Sequence, residues 1–138
     1  MSKSGNSKSE SLIDRYLGDD GQQPEAQDRG PHVLGGLVML PASVAAMLDL
    51  RFKTGNRLAV PYGYILSVAL NPSNGIEVRL AEMKVIIKGR VLGPVYAAIV
   101  NHTALAIEES STGFDEGGDA PFVESIVIES GIEVDPLL

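Results

Sequence analysis

The strongest constraint on how this 138-residue chain can fold is an alternation of apolar and polar residues with a period of two. Between Leu48 and Lys53, every even position is apolar and every odd position is charged. This period is typical of β-strands that bury one face, because successive side chains of a strand point to opposite sides of the sheet. Farther along the chain the predicted inward positions are Leu58, Val60, Tyr62, Tyr64, Leu66, Val68, Leu70, Ile76, Val78, Leu80, Met83, Val85 and Ile87.

Three turn signals divide this region into antiparallel hairpins. Facing residues of an antiparallel pair must lie on the same side of the sheet, so the apolar positions select each register. The predicted turns are the three residues 54–56, the loop 71–75 (NPSNG) and the two residues 81–82. The pairs that follow are Phe52 with Leu58, Leu50 with Val60, Leu70 with Ile76, Val68 with Val78, Leu80 with Met83, and Val78 with Val85.

The alternation keeps its phase between Leu58 and Leu70, although Pro61 and Gly63 fall between them. We therefore expect one long strand that bends sharply at Pro61–Tyr64, because proline cannot donate to a ladder and glycine relieves a tight corner. Strands bent in this way let an antiparallel meander curl into a small, partly open barrel.

The period changes after Arg90, where a helix is predicted. Gly93 and Pro94 are typical of a helix start, and apolar residues then recur at helical spacing up to the predicted end near residues 101–102. Residues 104–108 (ALAIE) predict a further short strand with Leu105 and Ile107 inward, and residues 122–129 (FVESIVIE) predict another. The predicted fold class is α+β and β-rich, with one helix in the C-terminal half followed by one or two strands.

Composition divides the chain into three parts. Residues 1–36 are rich in polar residues and predict a flexible N-terminal arm, in which only residues 11–17 (SLIDRYL) have helical spacing. Residues 37–109 predict a single β-rich core domain, and residues 110–138 an acidic tail that contains the strand-like segment 122–129. We expect a cytoplasmic protein with no membrane association, because there are no cysteines, no apolar block behind the first residues and no apolar stretch of about 20 residues.

No set of residues predicts catalysis, a metal site or a cofactor, and we lean towards a protein that is not an enzyme. The two histidines, His32 and His102, are far apart in the sequence, and His102 falls at the predicted helix end, where the macrodipole favours it. The paired carboxylates at 19–20, 108–109 and 115–116 lie in polar or terminal segments, so we expect solvated charges there.

The distribution of charge suggests an anionic partner as one possibility. Residues 43–109 carry seven basic and five acidic residues, whereas residues 110–138 carry seven acidic residues and no basic one. The predicted register places Arg79 opposite Lys84 on the outward face, with Lys88 and Arg90 farther along. These four residues could contact the phosphates of single-stranded nucleic acid, or the acidic tail of the chain itself.

The leading hypothesis is a non-catalytic protein-interaction or self-assembly module that uses a sheet edge and the strand of the acidic tail. An extended segment with β-branched residues can add itself to an exposed sheet edge, either in its own chain or in a partner. The residues predicted to make that contact are Phe122, Val123, Ile126, Val127 and Ile128. The expected partner is another protein or a second copy of the chain in a homo-oligomer.

Overall fold

The computed structural model describes residues 30–130 of the chain. These residues form nine strands and one helix, which confirms the predicted β-rich α+β class. The strands are β1 (His32–Leu34), β2 (Leu37–Met39), β3 (Met47–Arg51), β4 (Arg57–Pro61), β5 (Ser67–Asn71), β6 (Gly75–Arg79), β7 (Met83–Arg90), β8 (Ala104–Glu108) and β9 (Phe122–Ser130). The helix α1 spans Gly93–Val100. The predicted helical segment 11–17 lies outside the described residues.

The strands form two sheets. The first has the order β1-β2-β8-β3-β4, and the second has the order β5-β6-β7-β9. Strands β5, β6 and β7 form an antiparallel meander as predicted, whereas the hairpin β3–β4 belongs to the other sheet. Among residues 30–130 the strands do not close into a barrel, and the partly open barrel stays a prediction.

The sheets separate at the position where the sequence predicts a bend. Strand β4 ends at Pro61, and residues Tyr62–Tyr64 form a 3-10 turn before β5 begins. The prediction of one continuous strand is therefore wrong, although the interruption lies at the predicted residues. Tyr62 is buried as expected. Tyr64 and Leu66 are exposed by 69% and 66%, because strand alternation does not extend through the turn and the residues that follow it.

Two of the three predicted hairpin registers are confirmed. Across the second loop Leu70 pairs with Ile76, and across the third turn Val78 pairs with Val85. The first hairpin instead pairs Leu50 with Leu58, so its loop contains the five residues 52–56 rather than three. The predicted and the observed register of this hairpin keep the same residues inward, so alternation alone does not distinguish between them.

The helix α1 follows the prediction closely. Pro94 lies in its first turn, where a backbone N–H has no partner within the helix, so the missing N–H of proline costs no hydrogen bond. The helix ends at Val100, with Asn101 as its C-terminal cap. Its buried residues are Val95, Ala98 and Ile99. They join a core made from both sheets. No helix within residues 30–130 has the length and apolar character that a membrane span requires.

Strand β8 lies at the centre of the first sheet, antiparallel to β2 and parallel to β3. Ile107 is buried as predicted, while Leu105 is partly exposed and packs against the core. Ala104 and Ala106 on the alternate positions are also fully buried. A central strand that is covered on both faces loses the one-sided pattern, so the sequence prediction for β8 was incomplete.

Strand β9 pairs with β7 around a bulge at Gly89. Gly89 pairs with Val123, while the preceding Lys88 pairs with Ser125, so Glu124 is the extra residue on β9. A Cβ atom at Gly89 would collide with the carbonyl oxygen of Phe122. The bulge therefore requires glycine on β7, since a side chain there would push the two backbones apart.

We predict that Gly89→Ala lowers the free energy of unfolding by about 1–3 kcal/mol, because the added methyl group overpacks against backbone. Gly63→Ala is the matched control: a Cβ atom at Gly63 meets nothing within 4 Å. That variant should stay within about 0.5 kcal/mol of the parent chain. Urea denaturation of both variants measures the difference, and equal stabilities would contradict the close approach.

Candidate functional site

The five predicted interaction residues lie on β9, which is already paired with β7 of the same chain. Val123 and Ile126 are buried in the core, and Ile128 is partly buried against it. Phe122 is partly buried, and Val127 is the exposed member of the set. The structure thus brings all five together on one strand, but it uses two of them fully within the fold.

The outer edge of β9 is partly occupied by the segment that follows β8. The Ser110 N–H donates a hydrogen bond to the Val123 carbonyl at 2.9 Å. The Ile126 N–H donates to the Glu109 side chain, with an N to Oε2 distance of 2.8 Å. Since these groups point away from β7, a strand that approached β9 would find the edge blocked along its first half.

Glu109 is a buried carboxylate with an exposed fraction of only 8%, in contrast to the solvated charge that the sequence predicted. Its Oε1 atom accepts a hydrogen bond from the Lys53 N–H at 2.8 Å, while Oε2 accepts the bond from Ile126. Its own N–H donates to the Arg51 carbonyl. Burial of a carboxylate is tolerated because both oxygens accept hydrogen bonds. Glu109 thereby joins the end of β3 to β9.

Glu109→Ala should lower the free energy of unfolding by about 2–3 kcal/mol, because it leaves the N–H groups of Lys53 and Ile126 without their acceptor. Its neighbour Glu108 supplies a matched control, since its side chain is exposed and lies 4.0 Å from Arg51. We expect Glu108→Ala to change stability by less than about 1 kcal/mol. Urea denaturation measures both values, and similar losses for the two variants would contradict the role of Glu109.

Three of the four basic residues predicted to bind an anion are already paired with carboxylates of the chain. The predicted opposition of Arg79 and Lys84 is confirmed by the register. Glu77 lies between them, with its Oε2 at 2.8 Å from Arg79 and 3.9 Å from Lys84. Lys84 also lies 3.8 Å from Glu129 of β9. The like charges are therefore compensated within the sheet.

The third paired residue, Arg90, contacts the loop between β8 and β9. Its Nε and Nη2 atoms donate to the two carboxylate oxygens of Asp115 at 2.5 and 2.9 Å, and Nη1 donates to the Gly118 carbonyl. The hydrogen bonds from Arg90, and then the N–H of Gly117, lower the pKa of Asp115 from 3.8 to about 2. For Lys88, the structure shows no such carboxylate partner among residues 30–130.

A carboxylate whose pKa is lowered by folding stabilises the folded state above its unfolded pKa, and the effect disappears as the pH falls through the folded value. The Asp115 contact should therefore be intact above about pH 4 and be lost towards pH 2. We predict a titration midpoint near 2 for the Asp115 carboxyl carbon in NMR spectra. In Arg90→Gln the midpoint should rise towards 3.8. An unchanged midpoint in that variant would contradict the pairing.

An uncharged and exposed surface lies on the opposite side of the second sheet's meander from β9, where α1 packs against β5. We call it the α1–β5 surface, and its residues are Tyr64, Leu66, Ala69, Leu70, Ala97 and Val100. It extends around the edge of β5, since Leu70 is on the core face of that strand and Ala69 is on its outer face. Besides Tyr64 and Leu66, Val100 is exposed by 48% and Leu70 by 37%. No aspartate, glutamate, lysine or arginine occurs in residues 58–76 or 91–107. The six residues of the surface thus carry no formal charge, whereas Glu77 of β6, which pairs with Ala69, carries one.

Tyr62 connects the 3-10 turn before β5 to the segment that follows α1. The Tyr62 hydroxyl donates to the Ala104 carbonyl at 2.6 Å, and its ring stacks on His102 with centroids 4.5 Å apart. Burial raises the pKa of Tyr62 well above its ordinary value, against a smaller opposing effect of the hydrogen bond. His102 follows α1 and Tyr62 precedes Tyr64, so this contact fixes the C-terminal end of α1 beside the 3-10 turn.

Sequence reasoning missed this surface because the alternation assigned Tyr64, Leu66 and Leu70 to the core. The signal that could have identified it is the length of the two uncharged segments, 58–76 and 91–107. Each uncharged segment is longer than the strand or helix that it contains, so it also covers residues outside the buried part of that element. Exposed positions in such segments present uncharged side chains to the surroundings, and at Leu66 and Ala97 these are apolar.

Comparison of the chain with protein-family models, with curated proteins and with solved structures finds no significant match. Within residues 30–130, no group of three or more histidine, aspartate or glutamate side chains is arranged to hold a metal ion.

Proposed function

We propose that the chain is a non-catalytic protein-interaction module and that another protein chain docks on the α1–β5 surface. The observation that carries this proposal is a set of exposed apolar side chains, without a charged residue among them, beside the edge of β5 that pairs with no other strand among residues 30–130. Interface centres are depleted of charged residues and enriched in aromatic ones, which matches this composition.

The edge of β5 is the part of this surface that offers backbone hydrogen bonds. It is the outermost strand of the second sheet, and four of its five residues are exposed. The other sheet edges are less suited to a partner strand. The edge of β9 is half occupied by residues 109–110, β4 ends in Pro61, and β1 has three residues. These contacts favour β5 over the tail strand as the docking edge.

The contacts of the basic residues weigh against the alternative function, binding of single-stranded nucleic acid. Three of the four proposed phosphate contacts are compensated by Glu77, Asp115 and Glu129. Two of these carboxylates, Asp115 and Glu129, belong to residues 110–138, so the acidic part of the chain already contacts the basic residues that a phosphate would contact. An added nucleic acid would have to displace these carboxylates, since Lys88 alone of the four basic residues lacks a carboxylate partner within residues 30–130.

Leu66→Arg tests the proposed docking surface, because it places a charge among the apolar side chains without touching the core. We expect the affinity for the bound chain to fall by about 30-fold or more, which corresponds to roughly 2 kcal/mol. The measurement is affinity purification of a tagged chain from its own cells, with a second, differently tagged copy present. Partners recovered with the parent chain should be lost from the variant.

Ser111→Arg is the matched control, because it adds the same charge at an exposed position on the loop between β8 and β9. Its circular dichroism spectrum and that of Leu66→Arg should both equal the parent spectrum. Recovery of the same partners by Leu66→Arg and Ser111→Arg would overturn the proposed surface.

A further inference from the structure

We propose that the chain which docks on the α1–β5 surface is a second copy of this protein, with β5 of one copy antiparallel to β5 of the other. The two-fold axis passes beside Ala69, and the two four-stranded sheets join into one continuous sheet. This inference rests on the proposed function and names the partner of the same surface.

The first argument is the absence of charge. In a two-fold symmetric contact, a side chain near the axis faces its own copy, so any charge there meets an identical charge. A different partner could instead match charges of this chain with opposite ones. Residues 58–76 contain no charged side chain, although the chain carries 11 basic and 18 acidic residues. Glu77 of β6 pairs with Ala69, but its carboxylate lies 2.8 Å from Arg79, so the charge one strand away from the axis is compensated within the chain.

The second argument is the direction of the backbone groups of β5. Arg79 of β6 accepts a hydrogen bond from the Leu66 N–H, so the odd-numbered residues of β6 point towards β5, while Leu80 bonds to Met83 of β7. The β5 residues that face β6 are therefore Ser67, Ala69 and Asn71. The N–H and C=O groups of Val68 and Leu70 point the other way, to the open edge.

These directions define one symmetric register. An axis at Ala69 places Val68 opposite Leu70 of the second copy, and their outward N–H and C=O groups then bond to each other. The same register sets Ser67 opposite Asn71 of the second copy. Apolar residues meet on the core face and small polar ones on the outer face, as a continuous sheet demands.

Ala69 suits the axis of this register. It occupies a non-hydrogen-bonded pair, in which the Cα atoms of the two strands are closest, at about 4.5 Å. The exposed Ala69 side chain is small enough to meet its own copy there. Tyr64 and Leu66 precede β5 in the chain and are exposed by 69% and 66%, and we place their side chains at the rim of the contact with the second copy.

The experiment uses the complete absence of cysteine in the chain. Ala69→Cys introduces a single thiol at the proposed axis, where the Cα separation suits a disulfide. Under mild oxidation at about 10 μM protein, we expect a covalent dimer to form roughly tenfold faster than in Ser111→Cys, because a dimer holds the Ala69 positions at millimolar effective concentration. Light scattering during size exclusion should give twice the chain mass for the parent protein and the single mass for Leu66→Arg.

The outcomes separate this inference from the function on which it rests. A parent chain that stays monomeric at several hundred micromolar, or a dimer in which Ala69→Cys does not cross-link faster than Ser111→Cys, would overturn the two-fold pairing through β5. If a monomeric parent chain still loses a different protein partner through Leu66→Arg, the docking surface stands and its occupant is not a second copy. If the parent chain is monomeric and Leu66→Arg still binds every partner that the parent binds, both proposals are overturned.

Discussion

The described part of the chain depends on one carboxylate that joins its two sheets. Both oxygens of Glu109 accept backbone N–H groups, one beyond β3 of the first sheet and one on β9 of the second. The residues on either side continue the connection, since the Glu108 N–H donates to the Gly36 carbonyl and the Ser110 N–H to the Val123 carbonyl. Three consecutive residues therefore bind elements that are distant in sequence. Because the carboxylate is buried, its hydrogen bonds are shielded from competing water.

Three of the four basic residues of the second sheet are compensated by carboxylates of the described chain. The acidic residues that follow β8 compensate basic residues of β7, through Asp115 on Arg90 and Glu129 on Lys84. The α1–β5 surface, in contrast, contains neither sign. The second sheet thus places its paired charges on β6, β7 and β9, while the edge of β5 is left to apolar and backbone interactions. This partition is the physical basis for assigning docking to β5 instead of the tail strand.

Much of the second sheet could be predicted from the sequence, because its hairpins have turns of distinctive composition. The NPSNG loop and the Ala81–Glu82 turn defined their registers correctly. The hairpin β3–β4 failed because two registers keep the same residues inward, and only the hydrogen bonds of Phe52 and Gly55 select between them. The central position of β8 depends on its long-range pairing with β2 and β3, about which local periodicity carries no information.

The candidate surface was the part that sequence reasoning predicted least well. Apolar residues at Tyr64 and Leu66 continue the pattern of a strand, and only the 3-10 turn turns them away from the core. The burial of Glu109 could not be predicted either, because the sequence does not distinguish it from its exposed neighbour Glu108. In both cases the local sequence is compatible with two environments, and the tertiary contacts decide which one is occupied.

The parallel pairing of β3 with β8 has a consequence for the order in which the chain folds. Asp49 pairs with Ala106, which is 57 positions away, whereas the hairpins of the meander join near neighbours. Loop closure makes the long-range pairing slow, so we expect the meander to form first. During that interval β7 is not yet paired with β9, because the partners Lys88 and Ser125 are 37 positions apart. We therefore expect a nascent chain to pass through a state in which both edges of the meander are open, where premature association competes with folding.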